Sequence, residues 1–422
     1  MIHKQRLGLL SCILIAISIS ACASLIKNPP ELLPVTAIPP VKYPTEIQPI
    51  SPGQSLPTAI PFASPTPYPG QDLGSRAPEV RAGEADDNAD WDDYLQYRRN
   101  YQGPYVHDVD ISERYIITAL DGYGRPILDA NVTFWDGQAK IWEGRTFANG
   151  QILFFPRALA DSQSRSFLVS IHKDGIAQTF ELSRDQQESW VGKLEQLKLR
   201  NKEIGLDVLF LLDSTGSMSD EIQALQSSIL SIADQIDDLH PRPDLRFGLV
   251  SYRDRGDDYV VAKADFTSNV HRFSEQLDQI WAEGGGDYPE SLNEALHVAV
   301  NMPDWREENC IRLIFLVADA PPHLDYPQDF DYAQEMALAA ANAIKIFPIA
   351  ASGSDDQAEY IFRQLAQFTQ ARFIFLTYEE PVSGGEPGDV STVHVESYGV
   401  QDLDDLVVRL VREELAYQGA SQ

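Results

Sequence analysis

From Gly205 onward the chain alternates apolar runs of strand length with amphipathic stretches. The runs are "LDVLFLLD", "RFGLVSY", "RLIFLVAD", "IKIFPIA" and "RFIFL", and the first is followed by a predicted helix from Ser219 to about Leu239. Repeated βα units of this kind predict a doubly wound α/β domain with a mainly parallel sheet, whose binding residues lie just beyond the carboxyl ends of the strands. Between Arg114 and Leu194 the pattern differs. Short β-rich runs, "RYIITAL", "NVTFW", "QILFF", "SFLVSI" and "AQTFEL", are separated by turn pairs such as Asp121-Gly122 and Asn149-Gly150. Short strands at this spacing predict a small β-sandwich ahead of the α/β domain.

The N-terminal pattern is neither. Lys4 and Arg6 precede a largely apolar segment from Leu7 to Ser20, too short for a comfortable membrane span, which closes on Ile19-Ser20-Ala21-Cys22. Beyond it, 14 of the chain's 27 prolines fall between Ala23 and Val80. Proline fixes φ near the polyproline II value and removes backbone donors, so Pro29 to Pro69 reads as a semi-rigid stalk. From Gly70 to Asp93, acidic residues and Gly/Ala prolong the spacer. The expected organisation is a leader at 1–22, a linker at 23–110, a sandwich at 111–200 and the α/β domain at 203–418.

Length and charge narrow the function. The 422 residues allow two or three domains, and the formal net charge is -30. Most of that charge lies in 203–422, which carries 13 basic and 40 acidic side chains. Such a surface repels nucleic acid, which is excluded as a partner. The three cysteines, Cys12, Cys22 and Cys310, make no disulfide framework, and Cys310 reads as a buried structural thiol.

The chemistry-bearing residues stand after the apolar runs, as the fold requires. The first ends in Asp213-Ser214-Thr215-Gly216-Ser217, where a spacing of two puts one carboxylate and two hydroxyls on one side of a short loop. A later run ends in Asp319-Ala320-Pro321-Pro322-His323, and "AEGGGDYPESLNEAL" places Asp287 and Glu290 where a glycine-rich loop enters a helix. Loops offering only oxygen suit a hard divalent cation such as Mg²⁺, with Mn²⁺ or Ca²⁺ also possible. Asp254, Asp257 and Asp258, and the group Asp325, Asp329 and Asp331, read as a solvated acidic rim. His297 and His323 read as structural, since the chain has no HExxH, CxxC or paired-His spacing.

Three resemblances extend this reading. Ile19-Ser20-Ala21-Cys22 resembles the bacterial lipobox, which implies cleavage before Cys22, diacylation of its sulfur, and an extracytoplasmic protein anchored by lipid to a membrane of the cell envelope. "DGYGRPILDANVTFWDG" with "TFANGQILFFP" resembles carboxypeptidase-regulatory-like sandwiches, a match of turn and core residues that speaks to fold. From Glu203 to about Tyr417 the chain resembles a von Willebrand factor A domain with a metal-ion-dependent adhesion site; "FGLVSYRDRGDD", "GGGDYPES" and "DAPPH" resemble the subfamily found in hemicentins and alpha-kinase-associated domains. The resemblance implies metal ligands at Asp213, Thr215, Ser217 and Asp319. The second loop departs from the pattern, with Gly286 where a Thr is usual, so Asp287 is expected to act there directly or through water. The same resemblance implies a binding or adhesion protein, not an enzyme, that takes a protein partner presenting an acidic side chain. Two alternatives stay open: a metal-dependent hydrolase, for which Glu290 is the candidate base, and an envelope scaffold with a vestigial site.

Overall fold

The computed structural model describes residues 80–419 apart from 161, 185, 200–203, 241, 302, 327–329 and 380–387. Cys22, the apolar leader and the proline-rich stretch lie outside the described residues. Among the described residues no helix is long and apolar enough to cross a membrane.

In chain order the elements are β1 (Arg81–Ala85), α1 (Trp91–Asn100), β2 (Tyr115–Asp121), β3 (Asn131–Asp136), β4 (Ala139–Arg145), β5 (Gln151–Phe154), α2 (Pro156–Leu159), β6 (Ser166–Lys173), β7 (Ile176–Ser183), β8 (Ser189–Leu194), β9 (Gly205–Asp213), α3 (Ile222–Asp237), β10 (Asp244–Tyr252), β11 (Val261–Thr267), α4 (Val270–Leu277), α5 (Leu292–Asn301), β12 (Cys310–Ala318), α6 (Tyr332–Ala341), β13 (Ile344–Ala350), α7 (Asp356–Phe368), β14 (Phe373–Thr377), β15 (Val400–Asp402) and α8 (Leu403–Tyr417).

The expected doubly wound domain is present. Its sheet runs β11-β10-β9-β12-β13-β14-β1-β15, with β10, β9, β12, β13 and β14 parallel and the remaining strands antiparallel to their neighbours. Every residue of β9 and of β12 is buried. That explains their continuous apolar runs: a parallel strand covered by helices on both faces has no polar side to show. Phe210, Phe315 and Phe347 stack in a row across the central strands, with ring centroids 5.7 and 5.2 Å apart, and Phe273 of α4 closes on Phe210 at 5.8 Å.

The sandwich is also present. A three-stranded sheet β5-β2-β8 faces a four-stranded sheet β4-β3-β6-β7 over a core containing Phe134, Phe154 and Phe167. The Phe134 and Phe154 rings stack at 4.1 Å. The sandwich meets the α/β domain through a buried ion pair, Asp129 to Arg312 of β12 at 2.8 Å. This contact lies near the start of β12, at the sheet edge opposite the loops that carry the candidate ligands.

One expectation is corrected. The linker does not run to residue 110, because β1 enters the main sheet between β14 and β15, and α1 packs beside α7. Two of the acidic residues that gave this segment the look of a spacer, Glu84 and Asp87, have cationic partners far along the chain. Asp87 holds Arg363 at 2.6 Å, and Glu84 holds Arg372 and Arg409 at 3.1 and 2.7 Å. Gly83 is needed at its place in β1, since a Cβ there would come 2.6 Å from the Phe375 ring. The α/β domain is therefore discontinuous in sequence, with the sandwich inserted between β1–α1 and β9.

Candidate metal centre

The carboxyl end of β9 delivers Asp213 into a buried position, and the loop beyond it is shaped by alternation. Ser214 turns back toward β10, bonding Ser251 and Tyr259 hydroxyls at 2.8 and 2.9 Å and donating to the Tyr252 carbonyl at 2.8 Å. With Ser214 anchored there, Asp213, Thr215 and Ser217 share the other side. The Thr215 amide and hydroxyl both donate to Asp213 Oδ1, at 2.9 and 2.7 Å, and the Thr215 and Ser217 hydroxyls stand 3.1 Å apart. Thr215 is fully buried, whereas Ser217 is exposed and marks the mouth of the site.

Asp319 follows β12 as expected. Its loop is laced to the glycine-rich loop by backbone bonds, Glu290 N to Pro321 O and His323 N to Glu290 O, each 3.1 Å. These place Glu290, buried to 3% exposure, beside the first loop. Gly285, at φ +68°, makes room for the approach: a Cβ on it would lie 2.7 Å from Glu290 Oε1 and 2.9 Å from Thr215 Cβ. Asp287 goes elsewhere. It is exposed, and its carboxylate gathers with Asp254 and His323, their ligand atoms within 4.8 Å of one another. The second loop thus brings Glu290, not Asp287, to Asp213 and Asp319. The sequence offered Glu290 beside Asp287 in the oxygen-bearing glycine-rich loop and as a candidate base, but assigned the second-loop ligand to Asp287.

The electrostatics single out the same three carboxylates. Burial, and secondarily the charge of Asp254, push Asp213 up to about 6. Burial and the neighbouring Asp213 push Asp319 up to about 7, against a hydrogen bond from Ser217. Burial, then Asp213, Asp254 and Asp319, push Glu290 up to about 9. Asp213 Oδ2, Asp319 Oδ1 and Glu290 Oε2 are buried without a well-placed donor, the buried Tyr252 hydroxyl beside Asp213 being the nearest to one, and among the described residues no Lys or Arg pairs with these groups. Buried acceptors without donors are costly, and hard oxygens around hydroxyls match the ligand set of a divalent cation. The residues fit such an ion.

The acidic rim is corrected in part. Asp258 is exposed, but Asp254 is 3% exposed and accepts from the Ser291 hydroxyl at 2.8 Å. Asp257 Oδ2 ties the loops together, accepting from the Asp254 and Gly285 amides at 3.0 and 2.9 Å. Asp331 caps α6 by accepting from the Ala333 amide at 2.8 Å. Asp329 lies outside the described residues. His297 is structural, bonded to Glu335 at 2.8 Å. Cys310 is buried, and burial raises its thiol to about 12, which suits an inert side chain.

An α/β domain with ligand-bearing loops at the carboxyl edge of its sheet is a binding-site architecture. Residues 207–378 match the von Willebrand factor A domain family, and this part of the chain is such a domain. Among curated relatives, "Alpha-protein kinase vwkA" of Dictyostelium discoideum is 28% identical over 176 residues, covering 40% of this chain and 27% of that protein. "von Willebrand factor A domain-containing protein 7" of Homo sapiens is 34% identical over 114 residues, 27% of this chain and 12% of that protein. The chain thus spans only a minor part of either relative. Among solved structures, the SpRpn10 VWA domain is 16% identical with a TM-score of 0.32, over 49% of this chain and 94% of that one. Proximal thread matrix protein 1 from the mussel byssus, with a zinc-occupied MIDAS motif, is 14% identical with a TM-score of 0.32, over 40% of this chain and 43% of that one.

Proposed function

We propose that the domain is a divalent-cation-dependent binding module that captures a protein partner through an acidic side chain. The observation that carries this reading is the set of three buried, mutually repelling carboxylates, Asp213, Asp319 and Glu290, with no lysine or arginine paired to them among the described residues. Asp213, Thr215, Ser217 and Asp319 hold the cation, and Glu290 supplies the second-loop oxygen in place of the expected Asp287. A bound Mg²⁺ would supply an open coordination position for an incoming carboxylate. The strongly negative surface disfavours acidic partners at large, so a single carboxylate aimed at the exposed Ser217 side is the matching contact. Trp281 and Tyr288, 58% and 46% exposed in the glycine-rich loop, offer apolar surface for the partner's flanking residues.

The domain belongs with the hemicentin and alpha-kinase-associated subfamily, the sandwich is carboxypeptidase-regulatory-like, and the chain is tethered outside the cytoplasm by a lipid on Cys22. Its role is binding, not catalysis. The test is capture of partner from the native envelope by the purified chain in Mg²⁺, in EDTA, and by Asp213→Ala. Capture in Mg²⁺ alone, lost in EDTA and in the variant, supports the reading. Cation-independent capture, or hydrolytic activity that chelator abolishes, contradicts it.

A further inference from the structure

Behind the rim of the first site stands a second group of ligands with a different chemistry. Asp254 and His323 are 3% and 2% exposed, whereas Asp287 reaches the group from the solvent side. The contacts of His323 leave Nε2 as its coordinating nitrogen. Nδ1 stands 2.8 Å from Asp325 Oδ1, and with Nδ1 donating, the lone pair is left on Nε2. Nε2 is buried and makes no hydrogen bond; the nearest carboxylate oxygen, Asp254 Oδ1, is 3.6 Å away. A carboxylate that fixes the far nitrogen of a ligating imidazole is the recurrent support of metal-bound histidine. The ring is further held by Tyr326, stacked at 3.7 Å with an interplanar angle of 13°, and Tyr326's hydroxyl in turn donates to Asp254 Oδ2 at 3.3 Å.

We propose that Asp254, Asp287 and His323 form a second cation site, separate from the Asp213 site, for a borderline-soft divalent ion of the Zn²⁺ class. Bonds of about 2.1 Å in a tetrahedral site put neighbouring ligand atoms about 3.4 Å apart. The 3.6 Å between His323 Nε2 and Asp254 Oδ1 is close to that separation, and the exposed Asp287 needs only a side-chain adjustment to complete the face. An imidazole ligand favours Zn²⁺ over Mg²⁺ or Ca²⁺, which take oxygen alone. Three protein ligands leave a fourth position toward solvent for water. Ser291, which donates to Asp254 Oδ1 at 2.8 Å, opens α5, so occupancy of this site bears on the same loop that supplies Glu290.

The experiment is calorimetric titration of the full chain with Zn²⁺, alongside Co²⁺ as a spectroscopic probe of the coordination. Asp213→Ala should retain one Zn²⁺ equivalent. Adding His323→Gln or Asp287→Ala to that variant should weaken the retained binding at least 100-fold, and Asp325→Asn should weaken it roughly 10- to 100-fold by releasing the imidazole tautomer. Asp287 is exposed, so Asp287→Ala tests the site even where His323→Gln disturbs the loop. In the otherwise wild-type chain, Asp287→Ala should lower the Zn²⁺ count by one while Mg²⁺ binding persists. The proposal is overturned if Asp213→Ala binds no Zn²⁺, or if its Zn²⁺ binding is indifferent to Asp287 and His323. Loss of Mg²⁺ binding in the wild type would instead count against the first site and leave these Zn²⁺ readings unaffected.

Discussion

Two aspartates on one strand are equally buried and oppositely served. Asp207, near the start of β9, is fully buried and receives four hydrogen bonds: Arg246 at 2.9 and 2.6 Å, the Arg306 guanidinium at 2.8 Å and the Arg306 amide at 3.0 Å. Asp213, six positions on, is also fully buried, yet its neighbours are neutral hydroxyls: Thr215 donates to Oδ1 and the buried Tyr252 stands beside it, with no arginine or lysine among the described residues to balance its charge. At the edge where the sandwich docks, buried carboxylates are neutralised by arginine; Asp129 with Arg312 repeats the arrangement. At the opposite edge Asp213, Asp319 and Glu290 lie together with no lysine or arginine paired to them among the described residues. The difference separates a carboxylate that closes the structure from one that awaits a charge from outside.

Removing each aspartate should therefore have opposite consequences. Asp207→Ala removes the carboxylate that Arg246 and Arg306 share, leaving Arg306 with Asp244 and Arg246 with the Asp304 carbonyl, and should lower stability by about 3 kcal/mol in denaturant unfolding, with or without cation. Asp213→Ala, measured in EDTA at pH 8, should be neutral or gain on the order of 1 kcal/mol, because it relieves repulsion among carboxylates. A large loss in both would erase the distinction between the two edges.

The second loop provides a finer test. Glu290→Gln keeps the side chain's shape but removes its charge, and should weaken Mg²⁺ binding by at least tenfold, about 1.4 kcal/mol. Asp287→Ala should change Mg²⁺ affinity by less. Calorimetry that ranks the two in the reverse order would return Asp287 to the first site.

Much of this was legible in the sequence. The buried parallel strands announced themselves as continuous apolar runs, and Asp213, Thr215 and Ser217 were marked by their spacing of two beyond the first. Asp319 was marked by the end of β12. What escaped depended on partners distant in sequence. The segment carrying Asp87 reads as spacer until Arg363, 276 positions away, is found against it. Asp254 reads as rim until Ser291 and Tyr326 are seen bonding it from other loops. Glu290 stands beside Asp287 in "GGGDYPES", and which of the two turns toward Asp213 is decided by a partner distant in sequence, the backbone bridge from Glu290 to Pro322.

Titration at the unpaired edge gives a smaller effect. Asp213, Asp319 and Glu290 are raised to about 6, 7 and 9, so over this range the native state holds protons that the unfolded chain has released. The cation-free protein should therefore lose stability as pH rises from about 5 to 9, while Mg²⁺ affinity climbs over the same window as protons leave the site. Melting at several pH values in EDTA would show it, and flat stability across the window would contradict the raised carboxylates.

The most direct measurement compares thermal melting of the wild-type chain and Asp213→Ala in EDTA and in saturating Mg²⁺ at pH 8. A ligand that binds only the native state raises the melting temperature, so the wild type should melt higher in Mg²⁺ and the variant should not respond. An equal Mg²⁺ response in both proteins would remove Asp213 from the site and contradict the account.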